Sequence, residues 1–176
     1  MRNRTATSQD TEDLGGRLAR ARPAAGESLA VLYLSGELGA GKTTFARGFL
    51  RALGVTEEVR SPTYTLIELY PAGALTAVHV DLYRVRDAAE LDALGLREWA
   101  RGGHLWLIEW PERGGSRLPP ADLTLTFSVS DAGHDIEVSA GSPLGKSCSA
   151  PPSAAPRSCV PSSCPPATMA RSSPWI

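Results

Sequence analysis

The chain has no acidic residue after Glu137, only two lysines against 16 arginines, and no cysteine before Cys148. Its longest apolar run, Leu29 to Leu34, is far short of the roughly 20 residues that a membrane-spanning helix needs. The stretch "MRNRTATSQD" also lacks the apolar core of a secretory signal, so a cytoplasmic protein with no membrane partner is expected. Cys148, Cys159 and Cys164 are spaced by 11 and 5 residues, which fits no usual zinc pattern and leaves one thiol over in any disulfide scheme. His79, His104 and His134 show no metal-ligand spacing either and are read as structural or exposed. With 42% hydrophobic and 21% charged residues the composition is that of a globular protein, and 176 residues suffice for one domain with a real core.

The charge is unevenly spread. Residues 1–140 hold 15 basic and 19 acidic residues, a net of −4, whereas an autonomous nucleic-acid binder normally presents a basic face. No DNA partner is expected, and any contact with RNA is delegated to another protein. Residues 141–176 hold eight of the 14 prolines and all three cysteines. So much Pro, Ser and Ala cannot bury enough apolar surface to offset the cost of ordering the chain. The expected division is a folded domain over 1–140 and a disordered tail over 141–176.

Within the domain, "DTEDLGGRLARA" (10–21) has Leu14 and Leu18 four apart, acids early and arginines late, the marks of a short amphipathic helix. "LAVLYL" is a continuous apolar run, as in a strand buried on both faces. "TTFARGFLRALG" puts Phe45, Phe49, Leu50 and Leu53 on one helical stripe, with Gly54 as its stop. "YTLIELY" and "LTAVHVDLY" flank the turn "PAGA" as an antiparallel pair. "DAAELDALGLREWARGG" reads as one helix, with Asp87 as cap and Glu90 at the capping-box position. "HLWLIEW" is another buried strand, and "LTLTFSV" and "HDIEVSA" form a hairpin around "SDAG". Strands alternating with helices predict an α/β fold with a small mixed sheet and flanking helices in three α/β/α layers.

Between the first long strand and its helix lies "GELGAGKTT" (36–44), which matches the phosphate-cradling pattern G-x-x-x-x-G-K-[ST] at Gly36, Gly41, Lys42 and Thr43. Gly36, Gly39 and Gly41 permit backbone turns that aim successive N–H groups at phosphate oxygens, and the following helix adds its positive end. Glu37, Leu38, Ala40 and Thr44 complete the expected nucleotide-binding set. Lys42 is expected to reach the β and γ phosphates, and the Thr43 hydroxyl to bind Mg2+. In a chain so poor in lysine, Lys42 looks chemically required, because a planar guanidinium does not replace a compact ammonium in a tight loop.

A magnesium–nucleotide site also needs an acid at the C-terminal end of a neighbouring strand. Two candidates exist. Glu109 ends "LWLIE" and is expected at the metal. Asp81 shares a face with His79 and is expected to orient water or a metal-bound water, the competing reading being a salt bridge to Arg84 or Arg86. "SPTYTL" (61–66) stands where nucleotide switches place a segment that senses the γ-phosphate, although a plain Ser-Pro turn explains it too.

"YLSGELGAGKTTFARGFLRALG", "SPTYTL", "HVDLYR" and "LIEWPE", in this order and at these separations, resemble the bacterial TsaE (YjeE) family of tRNA threonylcarbamoyladenosine biosynthesis, over about Asp10 to Ala140. The resemblance implies a P-loop ATPase that binds ATP or ADP with Mg2+. It implies an accessory role beside a two-protein threonylcarbamoyl-transferase complex, which modifies the adenosine next to the anticodon in tRNAs reading ANN codons. It places magnesium ligands on Thr43 and Glu109, the family's aspartate on Asp81, switch roles on Thr63 and Thr65, Trp110 stacked near the site, and Thr11 near the nucleotide base. In the last hairpin, where the family often has a basic residue, the nearest counterpart is His134. Two other functions remain open on the residues: a small-molecule kinase on the same fold, with Arg113 and Arg117 in its lid, and a nucleotide-gated binding module.

Overall fold

The computed structural model describes residues 1–22, 30–130 and 133–149. Cys159, Cys164 and the rest of 150–176 lie outside these, as do Leu29 and residues 131 and 132 of the expected "SDAG" turn. Seven strands form one mixed sheet: β1 (Arg2–Thr5), β2 (Ala30–Gly36), β3 (Ile67–Ala72), β4 (Leu75–Asp81), β5 (His104–Glu109), β6 (Leu123–Ser130) and β7 (Gly133–Ala140). Their order across the sheet is β1-β7-β6-β2-β5-β4-β3. The central strand β2 runs parallel to both β5 and β6, and β4 parallel to β5, while both margins are antiparallel.

The apolar run of β2 feeds both sides of the sheet. Val31 joins one cluster with Val78, Val80, Trp106 and Ile108, and Leu32 and Leu34 join the other with Leu105, Leu107 and Leu125. The second cluster is covered by α1 (Ser8–Ala21) and α2 (Lys42–Ala52), through Leu14, Leu18, Phe45, Phe49 and Leu50. Helix α1 starts on a reciprocal capping box: Asp10 N donates to Thr7 Oγ1 at 3.1 Å, and Thr7 N donates to Asp10 Oδ2 at 2.9 Å. The two helices touch backbone to backbone, since a Cβ on Gly48 would overlap the Glu12 carbonyl. After α2 the chain turns at Gly54, φ 97°, the stop read from the sequence.

The other face is thinly covered. Where one helix was expected over "DAAELDALGLREWARGG", the structure has two single turns, α3 (Glu90–Ala93) and α4 (Leu96–Trp99), broken at left-handed Gly95, φ 63°. Leu91 and Leu96 explain the break: at ~100° per residue a continuous helix would point them about 140° apart, and both are buried in the same cluster. Only part of the expected capping box forms: Glu90 Oε1 accepts from Asp87 N and Asp87 Oδ1 from Ala89 N, each at 2.9 Å, but α3 begins at Glu90, with Ala89 as its cap and no side-chain cap bond.

At the margins three details depart from expectation. The turn between β3 and β4 is tighter than "PAGA", because Pro71 and Ala72 still pair with Thr76 and Leu75. Strand β1 has no apolar alternation to announce it, and it is held against β7 by pairing and by Arg4 Nε donating to Asp135 Oδ1 at 3.0 Å. Order also continues past 140: α5 (Pro143–Ser149) lays Leu144 on the core, Gly141 N donates to Asp122 O at 2.8 Å, and Ser142 Oγ donates to the Asp122 carboxylate. The three-layer α/β/α reading holds, with one thick and one thin helical layer. No described helix is long and apolar enough to cross a membrane.

Candidate nucleotide site

Parallel pairing brings three strand ends together. Leu34 of β2 and Asp81 of β4 lie in register with Glu109 on either side of β5, so the phosphate loop and both candidate acids stand on one edge of the sheet. That edge is where open α/β sheets bind ligands. The loop turns through Gly36, Gly39 and Gly41, with φ of 145°, 77° and 98°, conformations a side chain would strain. Helix α2 begins directly at Lys42 and presents its free N–H groups to the cleft. The cleft has a volume of about 310 Å³, and its wall includes Gly39, Lys42, Thr43, Thr63, Asp81 and Glu109. Leu38, Gly41, Thr44 and Trp110 also line it.

Lys42 is 5% exposed. Its Nζ donates to Gly36 O at 2.7 Å and Glu37 O at 2.8 Å and lies 4.0 Å above the Trp110 ring. Burial lowers its pKa from the ordinary lysine value, and the charges of Glu109, Asp81 and Glu112 oppose that shift. Trp110 can reach over the ammonium because it adopts a left-handed backbone, φ 57°, as the strand ends before Pro111.

The two acids have separate partners. Thr43 Oγ1 donates to Glu109, 2.9 Å from Oε1 and 3.1 Å from Oε2, and His79 Nε2 lies 2.9 Å from the same Oε1. Asp81 Oδ2 accepts from Ser61 Oγ at 2.5 Å and Thr63 Oγ1 at 2.8 Å, and its Oδ1 accepts from Tyr83 N at 2.9 Å. No ion pair joins Asp81 to Arg84 or Arg86. Arg84 instead stacks on Tyr64, 4.2 Å from the ring centroid, and so clasps the same 61–66 loop.

Of the expected residues, Lys42, Thr43, Asp81, Glu109 and Thr63 converge. Glu37 and Ala40 contribute backbone only: Ala40 N donates to Glu37 O at 3.2 Å, closing the loop's turn. Thr65 stands apart, its exposed hydroxyl donating to Glu68 at 3.2 Å. Thr11 is buried behind the loop, with its methyl against Gly41 and its hydroxyl donating to Thr5 Oγ1 at 2.9 Å. His134 lies on β7, paired with Thr5 of β1. The sequence reading missed His79 as a partner of Glu109, although its placement on the face of Asp81 was a usable signal. It also missed Tyr83, which lines the cleft and packs against Trp110 in a tilted contact with ring centroids 5.1 Å apart.

Among the described residues no three His, Cys, Asp or Glu side chains converge as a self-sufficient metal cage. Magnesium does not require one. It favours hard oxygens and is commonly held by one or two protein groups, with phosphates and water completing the octahedron. The touching Thr43 hydroxyl and Glu109 carboxylate beside a phosphate loop are such a donor set, so these residues fit Mg2+.

Comparison with known proteins agrees with this geometry. The family model described as "Threonylcarbamoyl adenosine biosynthesis protein TsaE" matches residues 5–136. The chain is 42% identical over 121 residues to the tRNA threonylcarbamoyladenosine biosynthesis protein TsaE of Haemophilus influenzae, covering 69% of this chain and 77% of that protein. It is 37% identical over 139 residues to the TsaE of Treponema pallidum, covering 78% of this chain and 99% of the relative. The crystal structure of Bacillus subtilis YdiB superposes with a TM-score of 0.68 at 30% identity, covering 84% of this chain and 90% of that one. A phosphate loop on β2, acids at the ends of β4 and β5, and a family match across nearly the whole sheet lead to one conclusion: the chain belongs to the TsaE family.

Proposed function

We propose that the protein is a magnesium-dependent ATPase that supports threonylcarbamoylation of the adenosine next to the anticodon in tRNAs reading ANN codons. It works in the cytoplasm as an accessory subunit of a two-protein transferase and meets tRNA through that complex. The observation that carries this reading is the contact of Thr43 with Glu109 under the phosphate loop, in a chain of this family. Lys42 and the N–H groups at the start of α2 hold and orient the phosphates. Thr43 and Glu109 would hold Mg2+, which when bound supplies positive charge to the phosphate oxygens. Asp81 orients water and keeps Ser61 and Thr63 at the cleft, so the 61–66 loop feels what occupies the γ-phosphate position.

The kinase alternative is weaker. Arg117 pairs with Asp92 away from the cleft, and Arg113 donates from Nη1 to Val85 O at 3.1 Å while its guanidinium lies 5.5 Å over the Tyr83 ring and 5.8 Å over the Trp110 ring, so both candidate lid arginines already have partners. The test is ATP hydrolysis measured for the protein alone, with small-molecule acceptors, and with the transferase pair plus tRNA. Stimulation by the last mixture alone is expected. Phosphoryl transfer to a small acceptor would overturn the proposal.

A further inference from the structure

His79 is fully buried, a polar ring in the interior of the sheet. It belongs to β4, where its neighbours Val78 and Val80 supply the other face of the sheet and Ala77 lies on its own. Its Nε2 is 2.9 Å from Glu109 Oε1, while its Nδ1 is buried without a hydrogen-bond partner. Leaving a buried polar atom unpaired is costly, and a valine or leucine here would avoid that cost altogether. What the ring provides is the one bond to Glu109. An Nε2–H donor facing Oε1 accounts for that bond, and it puts a bare acceptor rather than an unpaired N–H on the Nδ1 side.

The strand register makes the bond possible. His79 pairs with Leu107 on β5, so Glu109 is its diagonal neighbour two residues on, while Asp81 lies directly opposite Glu109. Two carboxylates facing each other across neighbouring strands repel. Asp81 is drawn towards Ser61, Thr63 and Tyr83 N, and Glu109 needs a counterpart pulling it to the other side. Thr43 alone does not fix it, because that hydroxyl is shared between both carboxylate oxygens at 2.9 and 3.1 Å. His79 contacts Oε1 only.

We propose that His79 is a positioning residue for the metal-side carboxylate. It occupies Glu109 Oε1, fixes the rotation of the carboxylate, and leaves Oε2 as the oxygen offered to magnesium. The inference rests on the reading of Glu109 as a magnesium ligand. Groups that orient a metal-binding side chain typically matter roughly 10–100-fold in metal affinity.

The test separates metal binding from nucleotide binding. ADP affinity is measured by calorimetry in EDTA and in excess Mg2+ for wild type, His79→Gln, His79→Asn and His79→Phe, with melting temperatures alongside. The Gln amide N–H can reach the place of Nε2, whereas Asn reaches only that of Nδ1 and Phe keeps the ring without a donor. Wild type and His79→Gln should gain affinity on adding Mg2+. His79→Asn and His79→Phe should keep their EDTA affinity and lose most of that gain, on the order of 10-fold or more. In a Glu109→Gln background, His79→Phe should cost nothing further. A full magnesium gain in the Asn and Phe variants overturns the proposal, as does a Gln variant no better than Asn, or equal losses with and without the metal. No magnesium gain in the wild type rejects the reading of Glu109 and the inference with it.

Discussion

In the parallel half of the sheet, where β2, β5 and β4 end, Lys42, His79, Asp81 and Glu109 are all buried. In the antiparallel half, Arg2 and Arg4 reach over the largely covered Asp135 carboxylate, 12% exposed, with their own side chains 76% and 63% exposed. Burying an ionised group costs several kcal/mol unless its partners compensate, while an exposed pair contributes about 0–1 kcal/mol. The first arrangement is therefore stable only where partners compensate each charge. Each acid at the strand ends accepts several hydrogen bonds, and the ammonium has two carbonyls and an indole face. The second arrangement pins a marginal edge strand and asks nothing of its chemistry.

Perturbing each half in turn should expose this difference. The largest effect is expected from Glu109→Gln, which keeps size and shape but removes the charge. Partner-stimulated ATP hydrolysis should fall by roughly 10²–10³, while ADP binding in EDTA and the melting temperature stay near wild type. Unchanged turnover would remove Glu109 from the mechanism. Next, Asp81→Ala strips the acceptor from Ser61, Thr63 and Tyr83 N, and should cost about 1–3 kcal/mol in denaturant unfolding. It should also free the 61–66 loop to protease cleavage, with Asp81→Asn recovering part of both.

On the antiparallel side the effects should be smaller and confined to stability. Thr7→Ala removes the cap of α1, just after β1, and should cost about 1 kcal/mol in the same unfolding assay, with no change in nucleotide affinity. Asp135 should give the smallest effect, and one that depends on pH. The hydrogen bond from Arg4 holds its carboxyl below the usual carboxylate value, helped by the charges of Arg4 and Arg2. Its folded pKa is thus below its unfolded one. The stability it adds is complete above the ordinary carboxylate range and drains away as pH falls through the folded value. Melting curves from pH 7 down to pH 2 should show Asp135→Asn slightly below wild type at neutral pH and converging with it in acid. A constant gap would mean that the carboxyl acts through shape and not through charge.

Long, strongly patterned segments were legible from the residues alone. "LAVLYL" has room only for a strand buried on both faces, and Phe45, Phe49 and Leu50 leave α2 one way to lie. Short or polar elements were not. "RNRT" becomes β1 because β7 offers an unpaired edge, and α5 persists because Leu144 finds the core and Ser142 finds Asp122. The break at Gly95 was also hidden, since a single glycine is compatible with a continuous helix until the position of Leu96 is known.

The chemistry divides in the same way. The amino-acid sequence by itself determined the phosphate loop, because the spacing of Gly36, Gly41, Lys42 and Thr43 is a local matter of backbone freedom and one required ammonium. It also supplied Glu109 at a strand end, since a charged residue closing an apolar run emerges at the edge of the sheet, and Asp81 as a second acid within "AVHVDLYR", which the structure then places at the end of β4. Only the tertiary structure decided what those acids touch. Parallel pairing set Glu109 between Thr43 and His79, and folded the 61–66 loop onto Asp81. Hydrogen bonds between residues 18 to 66 positions apart leave no periodic trace along the chain, so they become visible only when the strands are laid side by side.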